Sequence, residues 1–186
     1  LGKLTPAFDR GPGGTMTAGN STPLADGAAA VLLASEDWAK AHNLPVQAWL
    51  RYGKVAAVDF VKKEGLLLAP AYAVSAMLTD AGLGLADFDL YEIHEAFAAQ
   101  TLATLKAWES PEFCREKLGR SQPLGSVDRT RLNSRGGSIA IGHPFAATGA
   151  RILGTLAREL ELRGSGRGLI SICTAGGMGV TAIVER

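Results

Sequence analysis

Cysteine is nearly absent. Cys114 and Cys173 are the only two in 186 residues, too few for a disulfide framework, and a reducing, intracellular setting is expected. Histidine is almost as sparse, with three in the chain. His94 and Glu95 do not follow the two-histidine spacing of a metalloprotease helix, so no metal site is expected. No apolar run approaches the roughly 18–20 residues that cross a bilayer. Charge of one sign is missing too: the formal net charge is +1 and Lys and Arg are scattered, which removes the electrostatic case for nucleic acid. No charged stretch leads into an apolar one, so no secretory leader is expected. The first residue is Leu1 rather than Met, which suggests a processed chain or a piece of a longer one. There is no internal repeat and no low-complexity segment.

What is present is ordinary for a protein with a real core: 47% hydrophobic and 20% charged residues, in a length that suits one generous domain or two very small ones. Glycine is abundant, with 23 residues, and clustered glycine marks places where backbone approaches another element or a ligand closely. Residues 1–20 are rich in Gly, Pro and Thr and read as loop or connector. Residues 28–34 form a short apolar run, expected to be a buried strand. Ser35 caps a short helix over residues 36–42, with Glu36 and Asp37 in its first turn. Further strands are expected over residues 46–57, 89–93, 168–174 and 180–184, making five in all. Pro70 opens a helix that Gly82 ends, with Ala73, Val74, Met77, Leu78 and Ala81 on its buried face. Helices are also expected over residues 96–108, 111–118 and 144–162. Strands alternating with helices argue for an α/β protein, a mixed, mostly parallel sheet covered by helices on both faces.

Three motifs carry chemistry. In the first, Gly142-His143-Pro144, proline suits the first helical position, which would set His143 at a helix N-cap. The dipole there disfavours imidazolium and would stabilise a nearby thiolate. Simple capping is the competing reading. The second runs from Cys173 through Gly176 and Gly177 to Gly179. A cysteine at the end of a buried strand sits where sheet folds gather active sites, and the glycine amides are free to meet an oxyanion. An inert buried cysteine beside a hairpin is the alternative. The third is His94-Glu95-Ala96-Phe97, between a strand and a helix, with Glu95 expected in the helix's first turn. Capping without catalysis is again the plainer reading.

Together and in this order, the three motifs resemble those of the thiolase family: a His-Glu-Ala-Phe segment, then Gly-His-Pro, then a cysteine followed by glycines. Thr15-Met-Thr-Ala-Gly-Asn20 with Asp26-Gly-Ala-Ala-Ala30 resembles the opening of the family's C-terminal domain. Residues 138–151 resemble its active-site loop and buried helix. His94, where many biosynthetic thiolases have Asn, and the form Gly142-His-Pro-Phe-Ala-Ala-Thr-Gly149 are similar to the thiolase subunit of the fatty-acid β-oxidation trifunctional complex.

The resemblance implies a thiolase-like fold with a five-stranded mixed sheet. Residues 1–14 would be a remnant of the loop-domain connector and residues 15–186 the C-terminal domain, the N-terminal domain with the nucleophilic cysteine being absent. Cys114, in a polar helical stretch without a glycine loop, is not a candidate nucleophile. The implied activity is acyl transfer on coenzyme A thioesters, without a cofactor: thiolysis of 3-ketoacyl-CoA or condensation of two acetyl-CoA. His143 would deprotonate the nucleophilic cysteine and help hold the thioester oxygen. His94 would position a water or donate to an oxyanion, Cys173 would move the proton at the α-carbon of acetyl-CoA, and Gly176, or a neighbouring glycine N–H, would complete an oxyanion hole. Implied partners are the N-terminal half, a second copy of the chain in a homo-oligomer, and in the trifunctional arrangement a hydratase/dehydrogenase subunit. The implied location is the cytoplasm, or the mitochondrial matrix in a eukaryote. A different class stays open: a non-catalytic thiolase-like subunit that binds acyl-CoA or a partner chain. Intact His94, His143 and Cys173 argue against it.

Overall fold

The structure, a computed structural model, describes all residues from Leu1 to Arg186. Four strands, β1 (Trp49–Ala57), β2 (Leu90–Ile93), β3 (Arg167–Thr174) and β4 (Met178–Glu185), form one mixed sheet in the order β1-β4-β3-β2. β1 and β3 both pair antiparallel with β4, and β2 pairs parallel with β3. The helices are α1 (Glu36–Ala41), α2 (Ala69–Ala81), α3 (Ala98–Glu109), α4 (Pro111–Glu116), α5 (Ser138–Ile141) and α6 (Thr148–Arg163).

Alternation along the strands divides the core in two. Tyr91, Ile93, Leu169 and Ile183 face one side, where α2 and α3 bring Val74, Met77, Leu78, Leu105 and Trp108. Leu90, Ile170 and Val184 face the other side, where α6 brings Ile152, Leu156 and Leu160. Each such side chain, fully buried, contributes about 1.5–3 kcal/mol. The approach of α6 to β3 depends on Gly168, because a Cβ there would stand 2.5 Å from Leu156 Cδ1. α2 starts as expected: Pro70 in its first turn has no N–H to leave unsatisfied. Gly82, at φ 66°, ends it with an amide bonded to Leu78 O and Thr79 O.

Three expectations need correction. The sheet is not mostly parallel: only the β2–β3 ladder is parallel, because β4 returns from β3 through a tight turn and β1 joins on its far side antiparallel. The sheet has four strands, not five, because residues 28–34 form no ladder; Leu32 and Leu33 are 72% and 65% exposed. A β-prone run becomes a strand only when its amides and carbonyls find partners, and nothing here pairs with it. It instead walls an apolar groove of about 600 Å³ with Leu44, Trp49, Leu153 and Ala157. The long helix begins at Thr148 rather than Pro144. Pro144 O accepts from the Ala147 amide in a separate turn, and Ala146 stands at φ 65°, outside the right-handed helical region. His143 therefore does not cap a helix, and its chemistry has to be set by its contacts. No helix is long and apolar enough to cross a membrane.

Candidate active site

The parallel pairing of β2 with β3 ends at Ile93 opposite Ser171, and the His94 amide continues it by donating to Ser171 O at 2.9 Å. His94 and Cys173 thus leave the same end of adjacent parallel strands, the edge at which open α/β sheets collect reactive groups.

Glu95 is not in the first turn of α3, which starts at Ala98. Its carboxylate reaches across to α5, accepting from the Ile139 amide at 3.2 Å and from Asn133 Nδ2 at 2.7 Å. An anion over the free amides of a short helix is favoured, so this residue fixes the segment that carries Ser138. Asn133 strengthens the link: its side-chain amide takes the Ile93 N–H at 2.8 Å and donates to Ile93 O at 2.9 Å. Gly137 leaves room for this contact, since a Cβ there would fall 2.2 Å from Glu95 Oε2.

His143 is held by a strand-like segment from the start of the chain. Its amide donates to Pro23 O at 3.1 Å, and it forms a parallel bridge with Leu24. Gly142 is at φ 93°, and a Cβ there would stand 2.7 Å from that of Ala25. A residue with a side chain would be both strained and obstructed. Thr22 closes the same segment onto α5, donating to Ser138 O at 2.7 Å.

These supports bring the two imidazoles together, with ring centroids 4.3 Å apart and planes inclined by 48°. His94 Nδ1 lies 2.8 Å from Ser138 Oγ, and His143 Nδ1 lies 2.6 Å from Thr148 Oγ1. Arg151, one turn into α6, donates to Ser138 Oγ at 3.3 Å. Burial first, then the charges of His143 and Arg151, push His94 down to about 4. Burial and Arg151 lower His143 as well. Both rings are therefore neutral at pH 7. Burial pushes the Cys173 thiol up to about 11, the amides of Cys173 and Ala96 offsetting part of that. The thiol consequently does not titrate near pH 8, where an unperturbed cysteine would.

Three of the expected site residues, His94, His143 and Cys173, stand at the β2–β3 edge or against it. Gly176 lies in the turn between β3 and β4, exposed and at φ 82°, and its amide has no partner within the chain. Its neighbours have another use: a Cβ on Gly177 would reach 2.6 Å from Val58 O, and one on Gly179 would reach 2.5 Å from Pro70 N. Those two glycines admit the start of α2 and the chain after β1. Cys114 is fully buried, and its thiol donates to the carbonyls of Ala107 and Trp108, which suits a structural residue. No group of three or more His, Cys, Asp or Glu side chains is placed to hold a metal ion.

Sequence reasoning missed Asn133, Ser138, Thr148 and Arg151. Ser138 and Thr148 stand five residues either side of His143, close enough in the chain to suggest hydroxyl partners for an imidazole. Asn133, at φ 48°, precedes a pair of glycines and carries the amide's ability to mimic a strand. Nothing in the local sequence marks Arg151, because its contact with Ser138 depends on how α6 packs.

Residues 45–186 match the family model for the C-terminal domain of thiolase, and residues 1–37 match the model for the N-terminal domain. The 3-ketoacyl-CoA thiolase of Yersinia pestis is 55% identical over 183 residues, which is 98% of this chain and 41% of that protein. The chain thus spans about two fifths of the length of such relatives. Human mitochondrial 3-ketoacyl-CoA thiolase, solved in complex with CoA, superimposes with a TM-score of 0.82 at 38% identity, covering 99% of this chain and 41% of that one. The dimeric peroxisomal thiolase of Saccharomyces cerevisiae gives a TM-score of 0.81 at 38% identity, covering 100% of this chain and 41% of that one.

Proposed function

This chain belongs to the thiolase family, and on that premise we propose that it supplies the histidine pair and the acid–base cysteine of a 3-ketoacyl-CoA thiolase acting in fatty-acid β-oxidation. The observation that carries the proposal is the placing of His94 and His143 ring to ring at the β2–β3 edge that bears Cys173.

The nucleophilic cysteine comes from an N-terminal thiolase half. His143, neutral and with one ring nitrogen open, takes its proton. The resulting thiolate attacks the 3-keto carbon, and His94 donates to the oxygen that gathers charge. When the bond between C2 and C3 breaks, its electron pair passes to the acetyl-CoA fragment as an enolate. The Cys173 thiol gives its proton to that α-carbon, while the Gly176 amide and His143 serve the thioester oxygen. Free CoA then gives its thiol proton to the Cys173 thiolate and attacks the acyl-enzyme; the nucleophilic cysteine leaves as a thiolate and regains its proton from His143, and the shortened acyl-CoA departs. A thiol that holds its proton to about pH 11 is in the protonated form that the proton transfer to the α-carbon needs. The substrate is the coenzyme A thioester itself.

The two free thiols support a reducing compartment, the cytoplasm or the mitochondrial matrix. The dimeric yeast relative supports a homo-oligomer.

The test is reconstitution. The chain is combined with a thiolase N-terminal half, and consumption of 3-ketoacyl-CoA is followed with CoA present. Turnover that needs both pieces and is lost in His143→Ala is the expected result. CoA binding without turnover would favour the non-catalytic subunit instead.

A further inference from the structure

The two histidines are chemically alike in sequence, yet their partners treat them differently. Ser138 is fully buried. Its hydroxyl accepts from Arg151, which has only donors, at 3.3 Å. The sole acceptor within reach of its one hydrogen is His94 Nδ1, at 2.8 Å. A buried hydroxyl hydrogen left without an acceptor is costly, so that hydrogen goes to His94 Nδ1, which must be bare. The proton of the neutral ring is then on Nε2.

Thr148 shows the reverse arrangement. It too is buried, at 2% exposure, and its hydroxyl donates to Pro144 O at 3.2 Å. Having spent its single hydrogen there, it can only accept at 2.6 Å from His143 Nδ1. This arrangement satisfies both contacts, and turning the hydroxyl toward the ring would abandon one of them. His143 therefore carries its proton on Nδ1 and keeps Nε2 bare.

We propose that Ser138 and Arg151 are positioning residues that fix His94 as the Nε2–H tautomer, while Thr148 fixes its neighbour His143 as the Nδ1–H tautomer. Adjacent imidazoles then offer opposite groups to one ligand: a hydrogen-bond donor for an oxygen gathering negative charge, and a lone pair for a thiol proton. The tautomers follow from the contacts alone. Their catalytic use rests on the thiolase reading.

The test is long-range ¹H–¹⁵N correlation on the full chain with ¹⁵N-labelled histidine, which separates protonated from bare ring nitrogens. Wild type should show a bare Nδ1 on His94 and a bare Nε2 on His143. Ser138→Ala, and Arg151→Met, which frees the serine hydroxyl to turn, should each move His94 toward a mixture of tautomers. Arg151→Lys keeps a donor to Ser138 and should keep the wild-type pattern. In the enzyme assembled with an N-terminal half, Ser138→Ala and Arg151→Met should each lower kcat about tenfold or more with KM little changed, and Arg151→Lys should restore it. A wild-type His94 protonated on Nδ1, or shifts unmoved in both disruptive variants, would overturn the proposal. An assembled wild-type enzyme without thiolysis but with opposite tautomers would sink the thiolase reading and leave the assignment standing.

Discussion

The imidazoles of His94 and His143 stand 4.3 Å apart between centroids, so each ring's charge is part of the other's environment. Two imidazolium ions in that space repel, and Arg151 adds a third positive group. An NMR titration of the ring protons should find both histidines neutral at pH 7. His143→Gln removes one repelling partner, and His94 should then take up its proton at a higher pH than in wild type. It should still protonate below 6.5, because burial is the largest cause of its shift. An unchanged His94 titration would mean the rings do not sense each other.

How far the sequence revealed this arrangement depends on whether each feature is local. Helix α2 was legible because Pro70, its apolar period and Gly82 all lie within its own residues. The three motifs were legible for the same reason. Residues 28–34 misled because strand propensity says nothing of a partner, and Leu32 and Leu33 lie exposed. The start of α6 misled because proline marks a first turn in general, whereas Ala146 at φ 65° is imposed by the loop that carries His143. The role of Glu95 was out of reach, since its partners Asn133 and Ile139 lie some forty residues away.

Glu95 joins the strand end that bears His94 to the helix that bears Ser138. Glu95→Gln would keep one accepting oxygen and set its amide donor against one of two existing donors, Asn133 Nδ2 or the Ile139 amide. The expected loss is about 1–3 kcal/mol, the usual cost of a buried polar group left without its partner. Urea unfolding of the variant should show it as a lower midpoint. Turnover of the assembled enzyme should fall further than stability alone explains, because Ser138 moves with α5. Wild-type stability and turnover together would show that the carboxylate is not needed.

Gly176 and Gly179 should respond to alanine for different reasons. At Gly176 no atom lies within 4 Å of an added Cβ, so the cost is the strain of φ 82°, about 1–2 kcal/mol. At Gly179 the Cβ would meet Pro70 N at 2.5 Å and Ala69 C at 2.7 Å, atoms of backbone that cannot swing aside. Gly179→Ala should cost about 1–3 kcal/mol and loosen the start of α2, which amide hydrogen exchange near Ala69 would report. Exchange there unaltered in Gly179→Ala would contradict the close approach.

Cys173 holds its proton to about pH 11, so at pH 8 about one chain in a thousand carries the thiolate that alkylating reagents require. Cys114 is wholly buried. Neither thiol should react quickly with a disulfide reagent in the folded chain at pH 8, and both should react in urea. Fast reaction of one thiol, absent from Cys173→Ser, would show that the sulfur is open and ionised.

Glu92 and His94 should hide one another in the pH dependence of stability. His94 takes its proton near pH 4 when folded, against a reference of 6.5. Between those values the unfolded chain binds more protons, so stability falls as pH drops from 6.5 to 4. Glu92, buried on β2 and influenced by Arg151, Glu95 and Glu159, holds its proton up to about pH 7 against a reference of 4.5. In that window the folded chain binds more protons, so stability rises as pH drops from 7 to 4.5. Each slope reaches about 1.4 kcal/mol per pH unit, and from pH 6.5 to 4.5 they oppose. Glu92→Gln should therefore expose the histidine: relative to wild type, it should lose about 2 kcal/mol over that interval. His94→Asn should gain a similar amount over the same interval. Urea unfolding at pH 4.5, 5.5 and 6.5 for the three proteins measures both slopes, and common contributions from other groups cancel in the differences. Parallel curves for wild type and Glu92→Gln would mean that the Glu92 carboxyl ionises below the window, with Arg151 outweighing burial.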